Sequence, residues 1–478
     1  MSEPESQRVG AVDRAWLRMD DPTNHMVVTA LLSFDGELDP ERVRALVRER
    51  VGWIVRMRTR VEPGLLGLSH RWHERASFDL DAHVRERELS PPGDEASLQA
   101  LVGEAMSRPL DPDRPLWELQ IIRGLRREPN EQGEPNEPGP RSVLLARVHH
   151  ALGDGFAQML LLLSLTDLEP EPSAANPLRE LFVPGSRKIA EARRFVREIM
   201  PQGMKLLLRG DHQQLEGRAH RRDLAWHATK LGGAARSLAS LVLRRPDAST
   251  VLRGRLGEAK QAAWSRPIPL AWLGAISHEF GVTINDMLLA ALTGGLRRYL
   301  IDRGESPRGV ELRAAVPINL RGLADMASLG NRFGLLFLTL PIHLEDPRAR
   351  LAELRRRMQA LQHTAEPLVT WALLDVMGYS PKLVERLILA YFAQRVSMVM
   401  TNMPGPERRL WLAGRELEGL MFWVPQSGRV GLGVSICSYA GEVRLGIASD
   451  AQLVPDPARI IAGFHAELDA CAALHDID

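Results

Sequence analysis

Two adjacent histidines open the segment His149-His150-Ala151-Leu152-Gly153-Asp154-Gly155, the part of this 478-residue chain best suited to chemistry. An apolar run that reads as a strand precedes it, and the helix-like run Phe156 to Leu165 follows. At a strand end, neighbouring side chains point to opposite faces, so only one of the two histidines can face a given cleft. This argues against a metal chelated by both, and no third ligand lies at a useful spacing, so no metal is expected. One histidine beside a glycine turn suits acid–base work, because its ordinary pKa lies near neutrality and it can accept a hydroxyl proton at working pH. A pair of satisfied core histidines is the plainer reading of two adjacent imidazoles taken alone. Asp154 is placed to pin the loop rather than to react, and Gly155 permits a tight turn into the following helix.

Other catalytic signatures are missing. The chain has no G-x-S-x-G elbow, no phosphate-binding P-loop and no G-x-G-x-x-G fingerprint, which disfavours serine hydrolases and nucleotide enzymes. Composition is that of an ordinary folded protein, 45% hydrophobic and 25% charged. A formal net charge of +1 supplies no overall field for nucleic acid. The two cysteines, Cys437 and Cys471, could form one bridge but imply no disulfide framework, which fits a reducing cytosol. The N-terminus is polar, without the apolar core of a signal peptide, and the most apolar run, Met159 to Leu165, is too short to span a bilayer. A cytoplasmic protein, peripheral at most at the inner membrane face or at lipid droplets, is expected.

The elements that would position the motif are legible in part. Met26 to Phe34 reads as a strand that ends at the turn Asp35-Gly36. A helix follows, with Asp39 as its cap, Pro40 at its first position and Val43, Leu46, Val47 and Val51 on its apolar face. Leu116 to Ile122 and Val143 to Val148 read as strands, and Pro129 to Pro140 as a mobile surface loop. Further on, Thr283 can cap a helix with Ile284, Met287, Leu288, Ala291 and Leu292 at helical spacing. Arg313 to Ile318 and Leu335 to Leu340 read as strands, and Gly431 to Tyr439 with Glu442 to Ala448 as a hairpin around Ala440-Gly441. Between about Glu169 and Arg255 the chain is strongly basic. Arg193, Arg194 and Arg197 there interleave with Phe195, Leu206 and Leu207. Two readings stay open: an amphipathic helix on anionic lipid headgroups, or a solvated connector between domains.

Ordered blocks along the chain carry a resemblance. Besides the His-His-x-x-x-Asp-Gly segment they are Pro109-Leu110-Asp111, Arg114-Pro115-Leu116-Trp117-Glu118, Asn285-Asp286 with Leu296-Arg297-Arg298-Tyr299-Leu300, Val316-Pro317-Ile318-Asn319-Leu320-Arg321, Gly330-Asn331-Arg332 and Thr401-Asn402-Met403-Pro404-Gly405-Pro406. From about Val12 to Asp450 the sequence closely resembles the bacterial wax ester synthase/diacylglycerol acyltransferase family, within the chloramphenicol acetyltransferase-like superfamily. One departure is Thr401, where serine is usual.

The resemblance implies an α/β fold. Two chloramphenicol acetyltransferase-like domains, mixed sheets with flanking helices, would be joined by a helical crossover with an active-site tunnel between them. The expected division is residues 1–168 with the histidine motif, 169–255 as a basic helical linker, and 256–478 as the second domain. By the same resemblance His150 is the general base, with His149, Asp154, Gly155, Asn285, Asp286 and Asn402 in support and Pro115, Leu116 and Trp117 at the substrate tunnel. The residues alone leave plainer roles open: a core aromatic for Trp117, helix capping for Asn285 and Asp286, a turn for Asn402. The implied reaction moves a fatty acyl group from acyl-CoA, a co-substrate and not a bound cofactor, to a long-chain alcohol or diacylglycerol. With no marked nucleophile, direct attack by the acceptor on the thioester is simpler than an acyl-enzyme. The alternative is a condensation-type acyltransferase that uses carrier-protein-bound thioesters.

Overall fold

The structure is a computed structural model, and it describes residues 6–64, 69–74, 78–126, 141–171, 177–182, 186, 188–200, 237–320, 330–361, 364–426 and 428–475. The expected loop at 129–140 and most of the basic linker, including Leu206 and Leu207, lie outside the described residues.

In chain order the strands are β1 (Ser6–Arg8), β2 (Val27–Asp35), β3 (Thr59–Pro63), β4 (His70–Glu74), β5 (Val84–Glu88), β6 (Trp117–Leu125), β7 (Arg141–His149), β8 (Lys260–Trp264), β9 (Ile268–Pro269), β10 (Leu312–Asn319), β11 (Phe333–Leu340), β12 (Met398–Pro404), β13 (Trp411–Leu412), β14 (Arg415–Trp423), β15 (Leu432–Tyr439) and β16 (Glu442–Asp450). The helices are α1 (Ala11–Met19), α2 (Pro40–Arg50), α3 (Val55–Arg58), α4 (Glu95–Met106), α5 (Gly155–Leu163), α6 (Ile189–Ile199), α7 (Leu270–Glu279), α8 (Ile284–Asp302), α9 (Pro347–Leu361), α10 (Glu366–Tyr379), α11 (Lys382–Ala393) and α12 (Pro457–His475).

Local signals translate directly into several of these elements. Asp39 accepts a hydrogen bond from the Glu41 N–H at 2.9 Å and starts α2, with Pro40 first in the helix. Thr283 and Asp286 form a reciprocal capping box on α8, each side chain taking the other's backbone N–H at 3.1 Å. The β15–β16 hairpin turns at Ala440-Gly441, both with positive φ (49° and 85°), the geometry of a tight turn matched to strand twist.

Two mixed sheets organise the molecule. One runs β13-β14-β2-β7-β6-β5, antiparallel except for the parallel β5–β6 pair. The other runs β11-β10-β12-β15-β16-β8, with β9 on β16 and parallel pairing at β10–β12 and β12–β15. A small sheet, β1-β4-β3, stands apart. This is the expected α/β architecture of two sheet-rich halves with flanking helices. The first sheet is not built from the N-terminal part of the chain alone. The β13–β14 ribbon comes from residues 411–423 and pairs β14 against β2, so Leu420, Met421, Phe422 and Trp423 join the first hydrophobic core. That insertion covers an edge of β2 that would otherwise present unpaired backbone groups.

For the basic segment, whose two readings were left open, the structure describes the first α-helix. Helix α6 is amphipathic, but Ala192, Val196 and Met200 are buried in the first core and Phe195 packs against it. Its apolar face is therefore already covered by protein, which suits a connector and not a lipid-facing helix. Cys437 and Cys471 are both buried and free, so the bridge left open by the sequence is not formed.

Candidate active site

β7 lies between β2 and β6, and the motif leaves the sheet from that central strand. β7 ends at His149, and His150 to Leu152 form a single 3₁₀ turn before α5. Backbone bonds fix the turn on both sides: the His149 N–H donates to the Leu116 carbonyl at 2.9 Å and the His150 N–H to the Met26 carbonyl at 2.7 Å. Gln158 donates its side-chain amide to the carbonyls of His149 (3.1 Å) and Gly153 (2.7 Å), which closes the turn from the α5 side.

The two imidazoles are held in opposite tautomers. His149 Nδ1 accepts the Ala151 N–H at 3.1 Å, so its proton sits on Nε2, 3.8 Å from Asp20 Oδ2. Burial works against ionising Asp20, yet hydrogen bonding and charge from His149 and His25 outweigh it and hold the carboxyl well below the usual range. His150 Nδ1 instead meets Asn331 Oδ1 at 2.8 Å. The amide of Asn331 can point only one way: its nitrogen donates to Asp13 Oδ1 (2.9 Å) and to the His150 carbonyl (2.8 Å), neither of which can donate back. Its oxygen therefore accepts from His150 Nδ1–H, and the free lone pair of His150 is on Nε2. Asp13 is braced in turn by Arg56 at 3.2 Å. Burial in apolar surroundings is the main cause that pushes the His150 pKa down to about 4, against the opposing bond to Asn331, so the ring is neutral at working pH. Trp16 stacks on it, with ring centroids 4.0 Å apart, and Phe333 flanks it at 5.7 Å.

His150 borders a cavity of about 850 Å³ between the two sheet-bearing halves, toward the upper end of the roughly 300–1,000 Å³ of small-molecule sites. His149 is not on its wall. The lining is mostly aliphatic and aromatic; Asn285, Asn402, Thr401 and Ser438 are among the polar groups. Asn402, on β12, donates its amide to Asn285 Oδ1 at 2.7 Å, which joins two segments 117 residues apart on the cavity wall. Asp286 is consumed by its capping box.

Asp154 ties the two halves together. Its carboxylate caps α5 through the Ala157 N–H (3.0 Å) and also receives the Arg332 N–H (3.3 Å), while its own N–H donates to the Gly330 carbonyl (3.2 Å). Those bonds dock the Gly330-Asn331-Arg332 segment onto the motif loop and so bring Asn331 to His150. Gly155 sits where a Cβ would lie 3.2 Å from Met403 on the cavity wall, so any side chain there presses on the site.

Pro115, Leu116 and Trp117 do not border the described cavity. All three are buried; the Trp117 indole donates to the Met57 carbonyl at 2.8 Å and its ring stacks on His83 at 4.5 Å. This block packs the sheet and, through the Leu116 carbonyl, anchors His149. Sequence reasoning also missed Asp13, Trp16 and Phe333 as neighbours of His150. It quoted Asn331 only within a resembling block, and the nearest signal was an asparagine just before a strand start.

Comparison with known proteins gives the family of the chain. The wax ester synthase/diacylglycerol acyltransferase catalytic domain matches residues 9–288, and the C-terminal domain of the same family matches residues 329–471. The chain belongs to the wax ester synthase/diacylglycerol acyltransferase family. It is an acyltransferase, acting on an acyl donor and a lipid acceptor. A probable diacylglycerol O-acyltransferase of Mycobacterium tuberculosis is 28% identical, with 97% of this chain and 94% of that protein covered. Among solved structures, the wax ester synthase/diacylglycerol acyltransferase of Marinobacter aquaeolei has a TM-score of 0.67 at 20% identity, covering 97% of this chain and 98% of that one. The first condensation domain of the calcium-dependent antibiotic synthetase has a TM-score of 0.58 at 16% identity, covering 97% and 95%. These structural likenesses place the family member in the two-domain fold that it shares with condensation domains. Among the described residues no helix is long and apolar enough to cross a membrane, and no cluster of His, Cys, Asp or Glu could hold a metal.

Proposed function

We propose that this acyltransferase esterifies a long-chain alcohol or diacylglycerol with a fatty acyl group from acyl-CoA, giving wax ester or triacylglycerol. The observation that carries the reading is His150 Nε2: a neutral, oriented lone pair beside a large apolar cavity with His150, Trp16 and Asn402 in its wall. The acceptor hydroxyl gives its proton to His150 Nε2 as its oxygen attacks the thioester carbonyl. The tetrahedral intermediate then collapses, the C–S bond breaks, and the imidazolium returns the proton to the departing CoA thiolate. No covalent acyl-enzyme is required, because His150 serves both steps. Backbone N–H groups near Gly155, or a polar side chain of the wall, hold the developing oxyanion. His149 keeps Asp20 and the turn in place, and Asp154 keeps Asn331 at His150.

The protein works as a peripheral cytoplasmic enzyme, with its lipid acceptor supplied from a membrane or droplet surface. The test is a panel with purified protein and palmitoyl-CoA, offering hexadecanol and dioleoylglycerol, with products separated as wax esters and triacylglycerols. Ester formation from either supports the reading, and formation from neither removes it. A parallel arm with palmitoyl bound to an acyl carrier protein decides the condensation alternative: turnover of that donor alone would replace acyl-CoA in the reaction.

A further inference from the structure

Helices α10 and α11 wall the cavity on one side with Leu373, Leu374, Met377, Ile388, Leu389 and Phe392. Their outer faces are apolar too. Tyr379 is 74% exposed, Leu383 69% and Leu387 63%, and on the adjoining 237–243 helix Leu243 is 80% exposed. The Tyr391 hydroxyl of α11 joins that helix by bonding the carbonyls of Leu241, at 3.3 Å, and Val242. Single exposed apolar residues are ordinary. Here, among the described residues, nine of the twelve large apolar side chains left exposed lie on these three helices. Scatter does not account for that concentration.

Most of the charges exposed around the patch are positive. Exposed Lys382 and Arg386 each precede an exposed leucine, Leu383 and Leu387, and exposed Arg245 lies two residues after Leu243. Arg14 lies over the Tyr379 ring, 5.3 Å from its centre. Of the acids on α10 and α11, Glu366 and Glu385 are buried in pairs with Arg244 and Arg18, which leaves Asp375, half-buried, as the acid near the surface. Apolar side chains interleaved with cations match a bilayer surface that carries anionic headgroups. Helix α6, the more obvious basic candidate, has its apolar face covered by the first core.

Resting on the lipid-acceptor reading above, we infer that the α10–α11 hairpin is the surface by which this enzyme docks on an anionic phospholipid bilayer, and that the lipid acceptor passes from the bilayer between these helices into the His150 cavity. The inner and outer faces of the same two helices give an apolar route one helix thick, so a lipid that follows it does not cross water.

The experiment is flotation of the full chain with phosphatidylcholine vesicles, with and without phosphatidylglycerol, comparing wild type with Leu383→Ser/Leu387→Ser and with Lys382→Gln/Arg386→Gln. None of these side chains lines the cavity, and circular dichroism with thermal unfolding checks that each variant folds. The leucine pair should lower vesicle partition at least about ten-fold, and the charge pair about five-fold per residue on anionic vesicles only. Turnover of diolein embedded in vesicles should fall in parallel, while turnover of dissolved hexanol stays at the wild-type rate. Unchanged vesicle binding in the folded leucine variant overturns the docking surface. So does a change in oligomeric state by light scattering with vesicle binding intact, which would assign the patch to a second copy of the chain. Wild type that turns over hexanol but never binds vesicles overturns this inference and leaves the proposed activity standing. Vesicle binding with no turnover of any acceptor supports the surface and removes the activity.

Discussion

His150 Nδ1 and Asn331 Oδ1 lie 2.8 Å apart across 181 residues of chain, and that bond sets which nitrogen of the imidazole keeps its lone pair. Without Asn331 the ring can turn or change tautomer. Asn331→Ala should lower kcat by at least about ten-fold, less than the loss expected on removing the base itself. Asn331→Asp keeps an acceptor at Nδ1 but turns its second oxygen toward Asp13 Oδ1 and the His150 carbonyl, two acceptors that the amide had satisfied, so it should lower the melting temperature and kcat despite the retained bond. Wild-type kcat in the folded Ala variant would show that Asn331 does not act through His150.

Removal of the two histidines should have different consequences. His150→Ala should cost about 10²–10⁴-fold in turnover with the fold intact. His149→Ala leaves the buried Ala151 N–H without its acceptor and removes the imidazole beside Asp20 Oδ2, so its cost should appear first in stability, by about 1–3 kcal/mol. Equal, near-complete loss of turnover in both folded variants would contradict the assignment of His150 alone to the cavity.

The depressed pKa of His150 sets the pH dependence. In the proposed mechanism the neutral ring is the active form, so kcat/KM should be insensitive to the ionisation of His150 from neutrality down to about pH 5. Below that it should fall, with an apparent pKa near 4. Stability shares the sign. The unfolded imidazole binds its proton from its ordinary pKa of 6.5 downward while the folded one stays neutral, so this contribution is complete above 6.5 and is lost as pH falls toward 4. An acid limb centred near the ordinary histidine pKa in the free enzyme would show that burial does not control the group.

Asp154→Asn tests the junction between the halves. Asparagine caps a helix about as well as aspartate, so the bond to Ala157 N–H can survive. The amide then offers one acceptor where the carboxylate offered two, and an NH₂ turned toward the Arg332 N–H costs about 1–3 kcal/mol. The melting temperature should fall and kcat should drop as Asn331 loosens, with the acid limb unmoved. An unchanged melting temperature with a shifted pH profile would instead place Asp154 in the proton transfer.

Gly378→Ala sets two effects against each other. Alanine favours a helix over glycine by about 1 kcal/mol. A Cβ at 378 would lie 2.1 Å from the Ala11 carbonyl oxygen, a backbone atom that cannot yield without moving α1 from α10. Overpacking should win, at about 1–3 kcal/mol, and kcat should fall because α1 carries Asp13 and Trp16 to His150. Thermal unfolding and kcat together check this; a stabilised variant with full activity would show that the α1–α10 contact has slack.

The sequence by itself determined what a few neighbouring residues can encode. Asp39-Pro40 starts α2 and Thr283 with Asp286 starts α8, because capping uses donors and acceptors within one turn. The apolar runs became β2, β6, β7, β10, β11, β15 and β16, and the alternation of side chains at a strand end foretold that a single histidine would reach the cavity. Relations between distant segments were decided by tertiary structure. Asn331 reaches His150 only because Asp154 holds backbone of both segments, and Trp16 and Asp13 arrive on a helix more than a hundred residues earlier. β14 joins β2 in the first sheet through a pairing of strands nearly four hundred residues apart. The same packing turned the apolar face of α6 inward and Trp117 into the core, and left Leu383 and Leu387 outside. Periodicity shows that an apolar face exists; which surface covers it depends on how the whole chain closes its cores.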